Sequence, residues 1–465
     1  MATSRFVRLR LAGVGMAAVL AVSMVPGSAS AAGPVTPGAG TVPMPGGAFV
    51  PGVGAVPAAP AGPGLAALPA SPPPSPAGMD RAKLSATLDA THAAGMYGLV
   101  SAVRDGKRQW DGASGVADVR SGRPVKPGME QRIGSITKSF VATAVMQQVE
   151  RGRLGLDEPI GIYLPELFPG ELGRQVTVRM VLNHTSGIGD YVSIAFPSLA
   201  ELSPSSLDEG RHRRLRPEQL VNWGLSLPRT GTPGERWSYS NTNYVIAGLL
   251  LEKATGGKAE TYIAREVIGK AGLKHTYFPK GARLDGPHSK MYESLYQHVK
   301  PPRDYSTYDM SWAWTAGALV STMDDLNRFY RTLLTGGLTS KASLAEMQKT
   351  VPVKDAEGNV TMNYGLGIYA LDLPCGRFWG HDGAVFGAGT QSLSSADGRR
   401  QVSVSLNLMK YQQLNGEGAP MPHPVDNALS AHLVQALCGG EGATTKSGGE
   451  TPVQPLPLQF RAFRP

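Results

Sequence analysis

Ser135 and Lys138 stand three residues apart in Gly134-Ser135-Ile136-Thr137-Lys138, a spacing that puts two side chains on one face of a helix. The Lys138 ammonium can then lie over the Ser135 hydroxyl. A serine hydroxyl is nearly inert at neutral pH and needs an adjacent base to become a nucleophile. A helix N-terminus adds N–H groups and a dipole that favour developing negative charge. The pair thus has the parts for acyl transfer through a serine ester. Ser-x-x-Lys arises by chance about once in a chain this long, so other residues must join it.

Two further stretches do. Tyr239-Ser240-Asn241 precedes a helical pattern, and His381-Asp382-Gly383-Ala384 lies beside a late strand. Singly, each has a structural explanation: a turn and N-cap for the first, a core histidine for the second. Together, Ser-x-x-Lys, Tyr-x-Asn and His-x-Gly in this order and approximate spacing resemble the serine penicillin-recognising family. That family includes DD-carboxypeptidases, class C β-lactamases and related esterases. The resemblance is closest to the secreted, low-molecular-mass D-alanyl-D-alanine carboxypeptidases and covers about residues 80–440. Leu182-Asn183-His184-Thr185-Ser186-Gly187, Pro233-Gly234, Ser311-Trp312-Ala313 and Ala316-Gly317-Ala318 also resemble that group.

The resemblance implies a β-lactamase/DD-peptidase-like α/β (α+β) fold with the site where its helical region meets an antiparallel sheet. It implies that Ser135 attacks the acyl carbon. Lys138 and Tyr239 share the base role, the ammonium lowering the phenol's pKa toward a phenolate, and Tyr239 returns a proton to the leaving group. Asn241 orients the substrate amide and restrains Lys138. His381 and Gly383 line the opposite wall, and the N–H groups of Ser135 and Ala384 form an oxyanion hole; Trp312 is a candidate substrate contact, with core packing as the alternative. No cofactor is implied, and β-lactams are the covalent ligands expected. D-Ala-D-Ala carboxypeptidase is the activity implied first. A D-stereospecific peptidase, esterase or acyl-transferring cyclase is the alternative, followed by a β-lactamase and a non-catalytic peptidoglycan- or β-lactam-binding module.

The pattern departs from the carboxypeptidases where they hold the substrate's terminal carboxylate. Tyr369 stands at the expected Arg position, Asp382 and Ala384 replace Thr, and Val192 occupies a third Thr position. An acid without a guanidinium repels a carboxylate. The expectation is a neutral or cationic leaving group: an ester, an amidated or internal peptide bond, or an amine acceptor.

The elements that must position these residues are legible in outline. Ile136, Phe140, Val141, Ala144, Val145 and Val149 give 136–149 helical spacing with little charge, so this helix is expected in the core, with Gly152 past its end. A first helix is expected over 84–94, and strands over 97–103 and 109–116 around the Asp105-Gly106 turn. From about 131 to 300 the pattern is mostly helical. Thr177 is an N-cap, Asn241 or Thr242 caps 244–254, and Thr322 with Asp325 resembles a capping box. Strands return at 365–371 and 377–380, a hairpin follows at Asp397-Gly398, and a last helix covers 426–437. Strands at both ends with helices between predict a sheet completed by both termini.

Composition bounds the rest. Residues 1–32 have the positive, apolar and small-residue parts of an export signal, so a secreted protein with no membrane anchor is expected. Residues 33–79 are an Ala/Gly/Pro-rich linker, and 441–465 a polar tail. The net charge of +9 is diffuse, and its densest run, 211–216, lacks aromatics, which argues against nucleic acid. The nine histidines have no metal-ligand spacing. Cys375 and Cys438 are the only cysteines, and a disulfide is the simplest expectation, two buried thiols being the alternative. No Gly-x-Ser-x-Gly elbow occurs, which disfavours an α/β-hydrolase. The expected state is a monomer acting on peptide or D-amino-acid-containing acyl substrates.

Overall fold

The computed structural model describes residues 79–439, apart from 356, 357 and 417. The expected signal, the linker up to residue 78 and the tail lie outside these residues. Nine strands form one sheet: β1 (Gly98–Asp105), β2 (Arg108–Asp118), β3 (Arg123–Pro124), β4 (Val351–Lys354), β5 (Val360–Tyr364), β6 (Tyr369–Leu373), β7 (Gly376–Val385), β8 (Ala388–Ser395) and β9 (Arg400–Leu406). Their order is β3-β2-β1-β9-β8-β7-β6-β5-β4, every neighbouring pair antiparallel. The first strand and the last thus meet in mid-sheet, as the sequence predicts.

Side-chain alternation divides the core. Leu99 and Val103 of β1 lie opposite Leu406 and Val402 of β9. With Val404 they share a buried cluster with Leu84 and Leu88 of helix α1 (Arg81–Ala93). Val100 and Ala102, on the other face, join the larger cluster beneath the helical region. That cluster centres on α2 (Thr137–Glu150), buried along nearly its whole length. Phe140 of α2 stacks on Phe329, the ring centroids 3.7 Å apart.

Several boundaries differ from the sequence reading for identifiable reasons. Helix α3 spans Asn241–Thr255 and starts three residues earlier than expected, with Ser240 at its N-cap. Thr322 does cap α4 (Met323–Leu334). The Asp325 carboxylate does not complete a capping box there, because it accepts the His275 N–H at 2.7 Å and the Thr276 hydroxyl at 2.9 Å. The helical region stops at Gly269. Beyond it, the Gly- and Pro-rich stretch around Gly286-Pro287 and Pro301-Pro302 forms turns with the short strands Tyr292–Glu293 and Arg303–Asp304. The sequence reading missed β4 and β5, while β8 and β9 are the two arms of the hairpin expected at Asp397-Gly398.

The last helix, α5 (Pro424–Cys438), ends at a disulfide from Cys438 to Cys375 in the turn between β6 and β7. It closes a loop with a sequence separation of 63 residues. Replacing both cysteines by Ser is expected to lower unfolding stability by about 4 kcal/mol in the chain-entropy model, read as a shift of the urea midpoint. An unchanged midpoint would contradict it.

Candidate active site

Ser135 sits in a single 3₁₀ turn, Gly134–Ile136, that leads into α2. Gly134 begins the turn with φ +51°, a conformation glycine tolerates. Three partners surround the Lys138 ammonium nitrogen: Ser135 Oγ at 2.7 Å, Asn241 Oδ1 at 2.8 Å and the Ala316 carbonyl at 2.7 Å. Two of these are obligate acceptors. A neutral amine satisfies both with its two N–H bonds and turns its lone pair to the Ser135 hydroxyl. Lys138 is fully buried, and this burial draws its pKa down to about 7, with the Asp190 and Asp382 carboxylates opposing.

The Tyr239 hydroxyl also meets Ser135 Oγ, at 2.7 Å. Here the sequence expectation is corrected. Burial raises the Tyr239 pKa well above the usual value, and the hydrogen bond to Ser135 offsets only part of this. The phenol therefore keeps its proton, and the group poised to accept one is the lysine amine. Asn241 is fixed from behind: its Nδ2 donates to Asp190 Oδ2 at 2.8 Å, which turns Oδ1 toward Lys138.

Strand β7 forms the facing wall. A Cβ built on Gly383 would lie 1.8 Å from the Ile133 carbonyl and 2.9 Å from the Ser135 nitrogen. One built on Gly134 would lie 2.7 Å from the Ala384 nitrogen. Only glycines let turn and strand come this close. Val385 and Ala388 flank a two-residue turn, so antiparallel alternation aims the Ala384 N–H away from β8. On that side β6 pairs only with Gly376 to Gly380, and Ala384 lies beyond its end. The Ala384 and Ser135 N–H groups thus stand together at the edge of a cleft. The same cleft is lined by Asp190, Val192, Asn241, Trp312, Phe386 and Met409, and by Glu293 and Lys410, which form an ion pair at 3.5 Å.

Residues 81–417 match the beta-lactamase family. The chain belongs to that family. As a beta-lactamase family member it has the β-lactamase/DD-peptidase-like fold, a large antiparallel sheet flanked by helices. It is similar to a D-stereospecific amidohydrolase from a Streptomyces species, with a TM-score of 0.67 and 33% identity, over 78% of this chain and 99% of that one. It is 27% identical over 319 residues to penicillin-binding protein 4* of Bacillus subtilis, covering 65% of this chain and 66% of that protein. It is 26% identical over 315 residues to a D-aminopeptidase of Cereibacter sphaeroides, covering 67% of this chain and 57% of that protein. The chain thus spans about two thirds or less of these two relatives.

Of the residues singled out from the sequence of this beta-lactamase family member, Ser135, Tyr239, Asn241, Trp312 and Ala384 line the cleft, and Lys138 bonds to Ser135. Tyr369, His381 and Asp382 are buried and are not among the lining residues. The His381 Nε2 meets the Tyr364 hydroxyl at 2.9 Å, and burial lowers its pKa to about 3, so it supplies no positive charge. Asp382 projects from the opposite face of β7 to Gly383, beside Gln391 of β8. Neither Asp382 nor Tyr369 is therefore placed to touch a leaving group in this cleft. Sequence reasoning missed Asp190, Glu293, Phe386 and Lys410. Asp190, Phe386 and Lys410 come from turns and loops and Glu293 from a two-residue strand, none with a periodic pattern, and only the tertiary fold brings them to the cleft.

Proposed function

We propose that this protein is a D-stereospecific amidohydrolase acting through an acyl-enzyme on Ser135. The observation that carries the reading is the Ser135 hydroxyl held 2.7 Å from both a buried lysine amine and a protonated phenol. The amine of Lys138 takes the Ser135 proton as Oγ attacks the acyl carbon. The developing oxyanion is met by the N–H groups of Ser135 and Ala384. Tyr239 gives its proton to the leaving nitrogen, and the amine departs. Water then attacks the ester and gives a proton to Tyr239, while Oγ leaves with the proton held by Lys138. Both residues return to their starting states, and proton counts balance.

The preference for a D-acyl donor is supported by the Streptomyces neighbour and the D-aminopeptidase relative. The preference for a leaving group without a carboxylate is supported by the charge of the cleft, whose lining carries two carboxylates, Asp190 and Glu293, against one ammonium, Lys410, which is paired with Glu293. D-Ala-D-Ala carboxypeptidase activity is the second reading, favoured by similarity to the Bacillus penicillin-binding protein. In both readings β-lactams are covalent ligands. We also propose export, on the pattern of residues 1–32.

One D-acyl donor presented as amide, methyl ester and D-alanine adduct separates the readings. The expected result is a kcat/KM at least about 10-fold higher for amide and ester than for the free-carboxylate adduct, the size of one missing charge-assisted contact. Faster release of D-alanine would establish the carboxypeptidase reading instead.

A further inference from the structure

His184 contacts three successive residues, Ser238, Tyr239 and Ser240. Its carbonyl accepts the Ser238 N–H at 2.8 Å, and its Nδ1 accepts the Ser240 N–H at 3.3 Å. The residues on both sides of Tyr239 are thereby tied to one histidine. Its ring lies 4.4 Å from the Tyr239 ring, centroid to centroid, at 33°. The Lys138 ammonium nitrogen is 5.0 Å from the same Tyr239 ring. Nδ1 also meets Asn243 Nδ2 at 3.3 Å, which links it to the first turn of α3. That turn carries Asn241.

His184 holds this place at some backbone strain: its φ is +61°, a region most side chains avoid. It is fully buried, and burial with the nearby Lys138 keeps its ring neutral. Because Nδ1 accepts, the proton lies on Nε2, which has no nitrogen or oxygen partner among the described residues. The rings of Tyr244 and Tyr364 stand 5.3 and 5.1 Å from the His184 ring, centroid to centroid. The imidazole thus offers an acceptor on the Tyr239 side and a flat surface to the phenol ring. His184 does not line the cleft.

We propose that His184 is a positioning residue that holds the Tyr239 phenol in line for proton transfer to the leaving group. The inference rests on the acyl-enzyme reading above. It makes a prediction that a merely structural role does not. A p-nitrophenolate leaves without a proton, whereas an amide nitrogen must receive one. Misplacing Tyr239 therefore slows amides selectively.

The test compares kcat/KM for the amide and the p-nitrophenyl ester of one D-acyl donor. His184→Phe keeps a ring without the acceptor. His184→Asn keeps an acceptor and tolerates positive φ. For His184→Phe, amide kcat/KM is expected to fall about 100-fold, the fall lying in kcat rather than KM, and ester kcat/KM, which reports acylation alone, less than about 5-fold. Tyr239→Phe should share this signature, and His184→Asn should lie between it and wild type. Parallel losses on both substrates, or unchanged amide turnover, would overturn the role of His184. If His184→Phe does not fold, the Asn variant carries the same comparison. A wild type that cleaves neither substrate would refute the acyl-enzyme reading itself, a result distinct from both.

Discussion

Lys138→Met is expected to lower acylation about 10³-fold while leaving the protein folded. The side chain is completely buried, and methionine fills similar space without a base. The loss follows from the site's proton balance. Ser135 has two hydrogen-bonding neighbours, Lys138 and Tyr239, and burial keeps the phenol protonated. Only the amine can accept the hydroxyl proton, and general-base catalysis is worth about 10²–10⁴ in rate. The sign of the pH dependence follows as well. Lys138 is reactive when neutral, and its pKa lies near 7, so wild-type kcat/KM should rise with pH through about 7 and then level off. The phenol's raised pKa places no opposing limb below pH 10. Stopped-flow acylation across pH checks both. A variant retaining wild-type rates would remove the assigned base.

Gly383→Ala is expected to lower kcat about 10²–10³-fold, although it adds one methyl group. The new Cβ would lie 1.8 Å from the Ile133 carbonyl, inside any allowed separation. Backbone must move, and the two segments that can do so are the Ser135 turn and β7 on either side of the Ala384 N–H. Either movement separates the two donors that meet the oxyanion. Loss of one such donor typically costs about 3 kcal/mol. Ground-state binding uses the cleft walls, so KM should change far less than kcat. Steady-state kinetics on ester and amide substrates provide the check, and a KM effect with intact kcat would argue that the strand only binds substrate.

The sequence carried the main architecture because its signals are local. Alternating Val402, Val404 and Leu406 mark a strand, and the apolar run around Phe140 marks a core helix. The three motifs were legible for the same reason, since each is a short string with fixed spacing. What escaped depends on long-range placement. Asp190 holds Asn241 across 51 residues, and the Ala316 carbonyl holds Lys138 across 178. The phenol's protonation state was misjudged because it depends on burial, which a nearby lysine in the sequence does not reveal. Asp382 was expected at the leaving group because a strand residue's face is set by register, and that follows only from pairing with β8.

The central claim is a covalent ester on Ser135. The direct measurement is acid-quenched reaction with the p-nitrophenyl ester of a D-amino acid, followed by peptide mass spectrometry. A pre-steady-state burst of p-nitrophenolate is expected, with the acyl group on the peptide containing Ser135 and on no other. Neither burst nor adduct should occur in Ser135→Ala. Turnover that survives Ser135→Ala, or an acyl group carried by a different residue, would contradict it.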